Sequence, residues 1–106
     1  MVCSYLEKIR EEYIEEKLAI DKKIASLEIQ LKENMEFIKL LEDSTDTAYE
    51  LFSPRNVNSK NREQVQELKN KQKDIIAEID RLKDEQEQVT YKIDEINKLV
   101  QKKTED

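Results

Sequence analysis

The strongest pattern in this chain is a series of inward positions in its second half, spaced alternately three and four residues apart. This is a heptad repeat, which keeps one side of a helix facing a partner helix along its whole length. The repeat predicts a helix over about 61–103 that takes part in a coiled coil. The positions are Val65, Leu68, Gln72, Ile75, Ile79, Leu82, Gln86, Val89, Ile93, Ile96 and Val100.

A less regular heptad repeat in the first half predicts another helix, over about 4–43, with Ser4 as its N-cap. Its apolar part covers residues 20–41. Nearer the N-terminus, Arg10 and Lys17 fall at inward positions. Long basic side chains can cover an apolar seam with their stems while the charge stays hydrated, so we expect this end of the coiled coil to be weaker.

The two predicted helices are separated by residues 44–60, which are rich in Ser, Thr, Asn and Asp. These residue types favour turns and caps, and Pro54 disfavours a helical residue before it. Two helices of similar length joined once predict an all-α fold, a long antiparallel two-helix coiled-coil hairpin that occupies 1–106 as a single module. The sequence leaves open a parallel arrangement of two extended chains.

Three amides occupy inward positions: Asn34, Gln72 and Gln86. The antiparallel register in which facing residue numbers add up to 106 sets Asn34 against Gln72, so that the two amides can bond to each other. Neighbouring registers leave Asn34 against an apolar residue, at a cost of about 1–3 kcal/mol. We therefore predict this register. Either the three amides fix register and partner number, or the coiled coil merely tolerates them.

The first helix also carries apolar residues that its seam does not use. They follow a helical period on a different face, and a two-helix hairpin has no second seam in which to bury them. We therefore predict a homodimer in which two hairpins pair through this stripe into a four-helix bundle. The alternative is that they are isolated exposed apolar residues, which are normal on protein surfaces. The stripe consists of Ile14, Leu18, Ala25 and Ile29.

The composition argues against residue chemistry: the 106 residues include no Gly, no His and a single Cys. Zinc sites need several Cys or His ligands, and phosphate-binding loops need Gly. We expect no catalytic residues, no cofactor site and no metal site, and therefore no enzyme in this chain.

The chain is 42% charged with a formal net charge of −6, and both signs are interspersed. Such a mixture argues against nucleic acid as the main partner. No apolar run approaches the roughly 18–20 residues that span a bilayer, so we expect no membrane insertion. The first ten residues lack the apolar centre of a signal peptide, which favours a cytoplasmic location.

Between the helices, four residues form a candidate partner-binding set: Tyr49, Leu51, Phe52 and Arg55. Loops held by rigid scaffolds often carry function, and aromatic and Arg side chains often anchor interfaces. The alternative is that the apolar members fold back and cover the adjacent end of the seam.

The same stretch carries a resemblance to a known family. Two long charged helices joined through Leu51, Phe52, Ser53, Pro54 and Arg55 resemble the coiled-coil region ahead of the kinase core in soluble bacterial two-component sensor histidine kinases. The resemblance implies a dimeric, cytosolic segment that senses or transmits a signal. Because the chain has no His, neither the phosphoacceptor nor any catalytic residue carries over.

We therefore predict a non-catalytic coiled-coil module for oligomerisation and protein interaction, with the kinase segment as its more specific form. The alternatives are a free-standing helical-hairpin binding protein (an adaptor, effector or chaperone-like protein) and a passive structural spacer.

Overall fold

A computed structural model of the chain contains two α-helices, α1 (Val2–Phe52) and α2 (Arg55–Glu105), each 51 residues long. The structure describes the backbone of both helices and the side chains of residues 4–44 and 61–102. No strand occurs in these described parts. The predicted all-α fold with two long helices is confirmed.

The helix ends differ from the prediction at the connection. α1 continues to Phe52 and α2 begins at Arg55, so residues 44–52 and 55–60 are helical where a loop was predicted. Ser, Thr, Asn and Asp each cost only a few tenths of a kcal/mol inside a helix, which does not stop a helix by itself. Ser53 and Pro54, where the sequence predicts the interruption, lie outside the described residues.

The start of α1 also differs slightly. The helix begins at Val2, so Ser4 lies inside the first turn and is not the N-cap. A difference of two residues is within the usual uncertainty of a helix boundary.

The chain forms two compact units. The first, here the terminal unit, comprises Met1–Ser26 and Asp80–Asp106. The buried side chains among its described residues are all aliphatic: Ile20, Ile24, Leu82, Val89 and Ile96. Val89 and Ile96 are buried although they belong to the half predicted to be weaker, so the seam is covered there as well.

The second unit, here the connecting unit, spans Leu27–Ile79. Ile38, Ile75 and Ile79 are buried in it together with one polar residue, Asn34. An ion pair on its surface joins Lys69 Nζ to Glu42 Oε1 over 3.4 Å.

Within the terminal unit the helices run antiparallel. Arg10 Nη1 donates a hydrogen bond to Asn97 Oδ1 over 3.2 Å, and Gln86 Nε2 donates to Asp21 Oδ1. Both contacts lie within one residue of the register predicted from the sequence. Every buried side chain in the described residues occupies a predicted inward position of its heptad repeat, which confirms the seam of both helices.

Candidate interaction surface

The predicted stripe on α1 is exposed to solvent. Ile14, Leu18 and Ala25 are exposed in the terminal unit, and Ile29 is 60% exposed in the connecting unit. At about 100° per residue, these positions lie roughly 150° around the helix from the seam positions. The α1–α2 seam therefore cannot bury them.

In the connecting unit, one flank of α1, between the seam and the outward face, forms an open groove, here called the α1 groove. Its floor is the half-buried Leu31 and the 51% exposed Met35. Methionine adapts its shape easily and is common at surfaces that bind other helices. The remaining lining residues are charged: Glu28, Lys32, Glu36 and Lys39.

Two further apolar side chains are exposed elsewhere on the described part of α1, in the connecting unit. Phe37 is 51% exposed beside a second groove that includes Asn34, Leu68 and Ile75. Leu40 is 63% exposed one turn later. We did not predict these exposures from the sequence. Their signal was nevertheless present, because Met35, Phe37 and Leu40 are large apolar residues outside the seam positions.

The described side chains of α2 expose fewer large apolar groups. They are Ile76, Tyr91 and Leu99, and Tyr91 lies against the charged residues Asp84, Glu87 and Lys92. Lys92 also places its Nζ 5.3 Å from the ring centroid of Tyr13, a cation–π contact within the terminal unit.

The buried amide of α1 is satisfied by the backbone. Asn34 Nδ2 donates to the carbonyl oxygen of Leu68 over 2.9 Å. The predicted amide-to-amide bond with Gln72 is therefore not the contact that Asn34 makes. The short side chain of Asn34 instead reaches a carbonyl one turn before Gln72, and a carbonyl oxygen has two lone pairs with which to accept.

The other two polar core residues are half-buried: Gln72 and Gln86. Gln86 bonds across the seam to Asp21, as described above. Whether the three amides set register and partner number remains a prediction.

The candidate partner-binding set lies at the junction of the helices. The backbone positions of Tyr49, Leu51 and Phe52 belong to the last turn of α1, and Arg55 begins α2. Their side chains lie outside the described residues, so their role remains a prediction.

The acidic side chains of the described residues are dispersed along the two helices. No group of three or more Cys, Asp or Glu side chains among them has the arrangement that could hold a metal ion. Neither described helix contains a stretch with the length and hydrophobicity needed to cross a bilayer.

No protein-family model, no curated protein and no solved structure matches this chain. The functional interpretation therefore rests on the chain's own residues.

Proposed function

We propose that this chain is a non-catalytic coiled-coil module that self-associates through the outward face of α1. The observation that carries the proposal is the set of large apolar side chains exposed on that face, including Leu18 and Ile29, away from the seam that pairs α1 with α2. Clustered exposed apolar residues mark interaction sites more often than isolated ones do.

Burial of these exposed residues would contribute to association. Complete burial of an Ile or Leu side chain contributes about 1.5–3 kcal/mol, so a few such residues on a shared interface offset part of the cost of association. A single seam between two helices also provides little core for a chain of this length, and self-association adds core without adding residues.

The test compares two doubly substituted proteins with the wild type by sedimentation equilibrium at protein concentrations up to about 1 mM. Leu18→Glu with Ile29→Glu places charge on the outward face of α1. Tyr91→Glu with Leu99→Glu is the matched control on α2, since these side chains are also exposed. We expect the α1 variant to lose self-association and the α2 variant to retain the mass of the wild type. Equal masses for all three proteins would contradict the proposal.

The more specific proposal is that two hairpins form a four-helix bundle that serves, in the cytoplasm, as the sensory or signal-transmitting segment of a histidine kinase. Only the resemblance around Leu51 and Arg55 supports it. In such a segment a shift in helix packing would pass along the rigid helices. Sequencing the parent gene beyond residue 106 tests it: a following helix with a phosphoacceptor His is expected, and a stop codon would contradict the proposal.

A further inference from the structure

The charges along the α1 groove alternate in sign. In chain order they are Glu28, Lys32, Glu36 and Lys39, and all four are exposed. Reversal of this order exchanges every negative charge for a positive one. A second α1 laid antiparallel on the groove therefore sets Glu28 beside Lys39 and Lys32 beside Glu36. A parallel copy in register would instead set each charge against its like.

A single antiparallel register accommodates both pairs, Glu28 with Lys39 and Lys32 with Glu36. The four positions lie within roughly 80° of the helix circumference, and the midpoints of the two pairs differ by about half a residue along the axis. Two-fold symmetry then repeats each pair, which gives four opposite-charge contacts along one side of the apolar floor of Leu31 and Met35. A self-complementary patch of this kind is what a two-fold symmetric interface requires.

We propose that the α1 groove binds the same groove of a second copy of this chain, with the two α1 helices antiparallel. The inference rests on the proposed self-association and adds its location and orientation. The occupant is a second copy because the charge order is complementary to its own reversal, a property that an unrelated partner would not require.

The contact is small. The segment from Glu28 to Lys39 is about 18 Å long, so we expect association weaker than that of standard interfaces, with a Kd of roughly 10 μM to 1 mM. Charges at such a contact determine orientation and partner choice more than affinity.

Two charge exchanges with identical composition test the orientation. Exchanging the outer charges (Glu28→Lys with Lys39→Glu) keeps every antiparallel pair opposite in sign. Exchanging the first two (Glu28→Lys with Lys32→Glu) makes all four pairs like-charged. By sedimentation equilibrium, we expect the first variant to associate like the wild type and the second to associate at least about tenfold more weakly.

A change in helix stability cannot mimic this result. Along one helix, the outer exchange gives like charges to positions 28 and 32 and again to positions 36 and 39, whereas the other exchange gives like charges only to positions 32 and 36. Helix destabilisation alone would therefore weaken the first variant more. Circular dichroism of each variant checks that the helices remain formed.

The outcomes separate this inference from the proposed function. If the wild type and both variants associate equally, or if both variants are weakened alike, the antiparallel groove pairing is wrong while self-association stands. If the wild type is monomeric up to about 1 mM, both proposals are wrong, because even the weakest expected association would be detected there.

Discussion

The two helices are equal in length but use their apolar residues differently. In the described residues of α2, five large aliphatic side chains are buried and three large apolar side chains are exposed. In the described residues of α1, three large aliphatic side chains are buried and seven large apolar side chains are exposed. α2 thus commits its apolar residues mainly to the seam, whereas α1 divides them between the seam and solvent-exposed positions that include the outward face.

This difference assigns separate roles to the two helices. A helix with one apolar stripe is typical of a pair whose other faces meet water. A helix with a second apolar face has surface that only another molecule can cover. The seam therefore accounts for the hairpin, and the outward face of α1 accounts for the proposed self-association.

The largest expected effect comes from the seam. Among the side chains that the structure describes, Leu82 is the most deeply buried, at 2% exposure, and Leu82→Ala should lower the free energy of unfolding by about 2–5 kcal/mol. Urea unfolding at a fixed protein concentration measures it. Leu99→Ala, at a 49% exposed position on the same helix, is the control and should change stability by less than about 0.5 kcal/mol. Similar losses in both would show that burial does not distinguish seam from surface.

The buried amide of α1 should be nearly as sensitive. Asn34→Asp keeps the shape but sets a carboxylate against the carbonyl oxygen of Leu68, and we expect a loss of about 2–3 kcal/mol at pH 7.

The loss should depend on pH in a defined direction. Burial raises the pKa of the introduced carboxyl above its unfolded value, so stability should be least affected below the unfolded pKa and fall as pH rises through the folded pKa. Urea unfolding at a series of pH values measures this, with the wild type as the control. A pH-independent loss would mean that the site is hydrated.

A substitution on the outward face of α1 should change the stability of the hairpin little but should clearly weaken association. Ile29→Glu removes an exposed apolar group, so the free energy of unfolding extrapolated to low protein concentration should change by less than about 0.5 kcal/mol. The concentration dependence of the melting temperature, which reports association, should disappear. Ile76→Glu, at an exposed position on α2, should leave that dependence intact.

The smallest expected effect concerns the contact between Lys92 and Tyr13. Lys92→Gln removes a cation 5.3 Å from the ring and should cost about 0.5–1 kcal/mol. Lys83→Gln changes an exposed lysine of the same helix and is the matched control. Equal losses of stability for the two variants in urea unfolding would mean that the loss comes from the change in net charge and not from the contact with the Tyr13 ring.

The sequence predicted the seam well because a heptad repeat specifies which face of a helix is buried. Every buried side chain in the described residues, from Ile20 to Ile96, was at a predicted inward position. It predicted the helix ends poorly, because residue preferences of a few tenths of a kcal/mol do not determine where a long helix stops.

The heptad repeat also did not predict the contacts of individual polar residues. The partner of Asn34 depends on side-chain length and on which carbonyl is within reach, and the heptad repeat specifies neither. The stripe from Ile14 to Ile29 was visible in the sequence, whereas the α1 groove was not, since its lining mixes a seam residue, Leu31, with charges outside the seam.

The most direct measurement of the central claim is a dilution series of methyl-labelled protein, followed by NMR from about 1 mM to about 20 μM. If α1 forms the interface, the methyl resonances of Ile29 and Met35 should shift on dilution. Those of the buried Leu82 and of the exposed Leu99 should remain in place. Shifts at Leu99 and Ile76 with Ile29 unchanged, or no shift at any methyl group, would contradict the account.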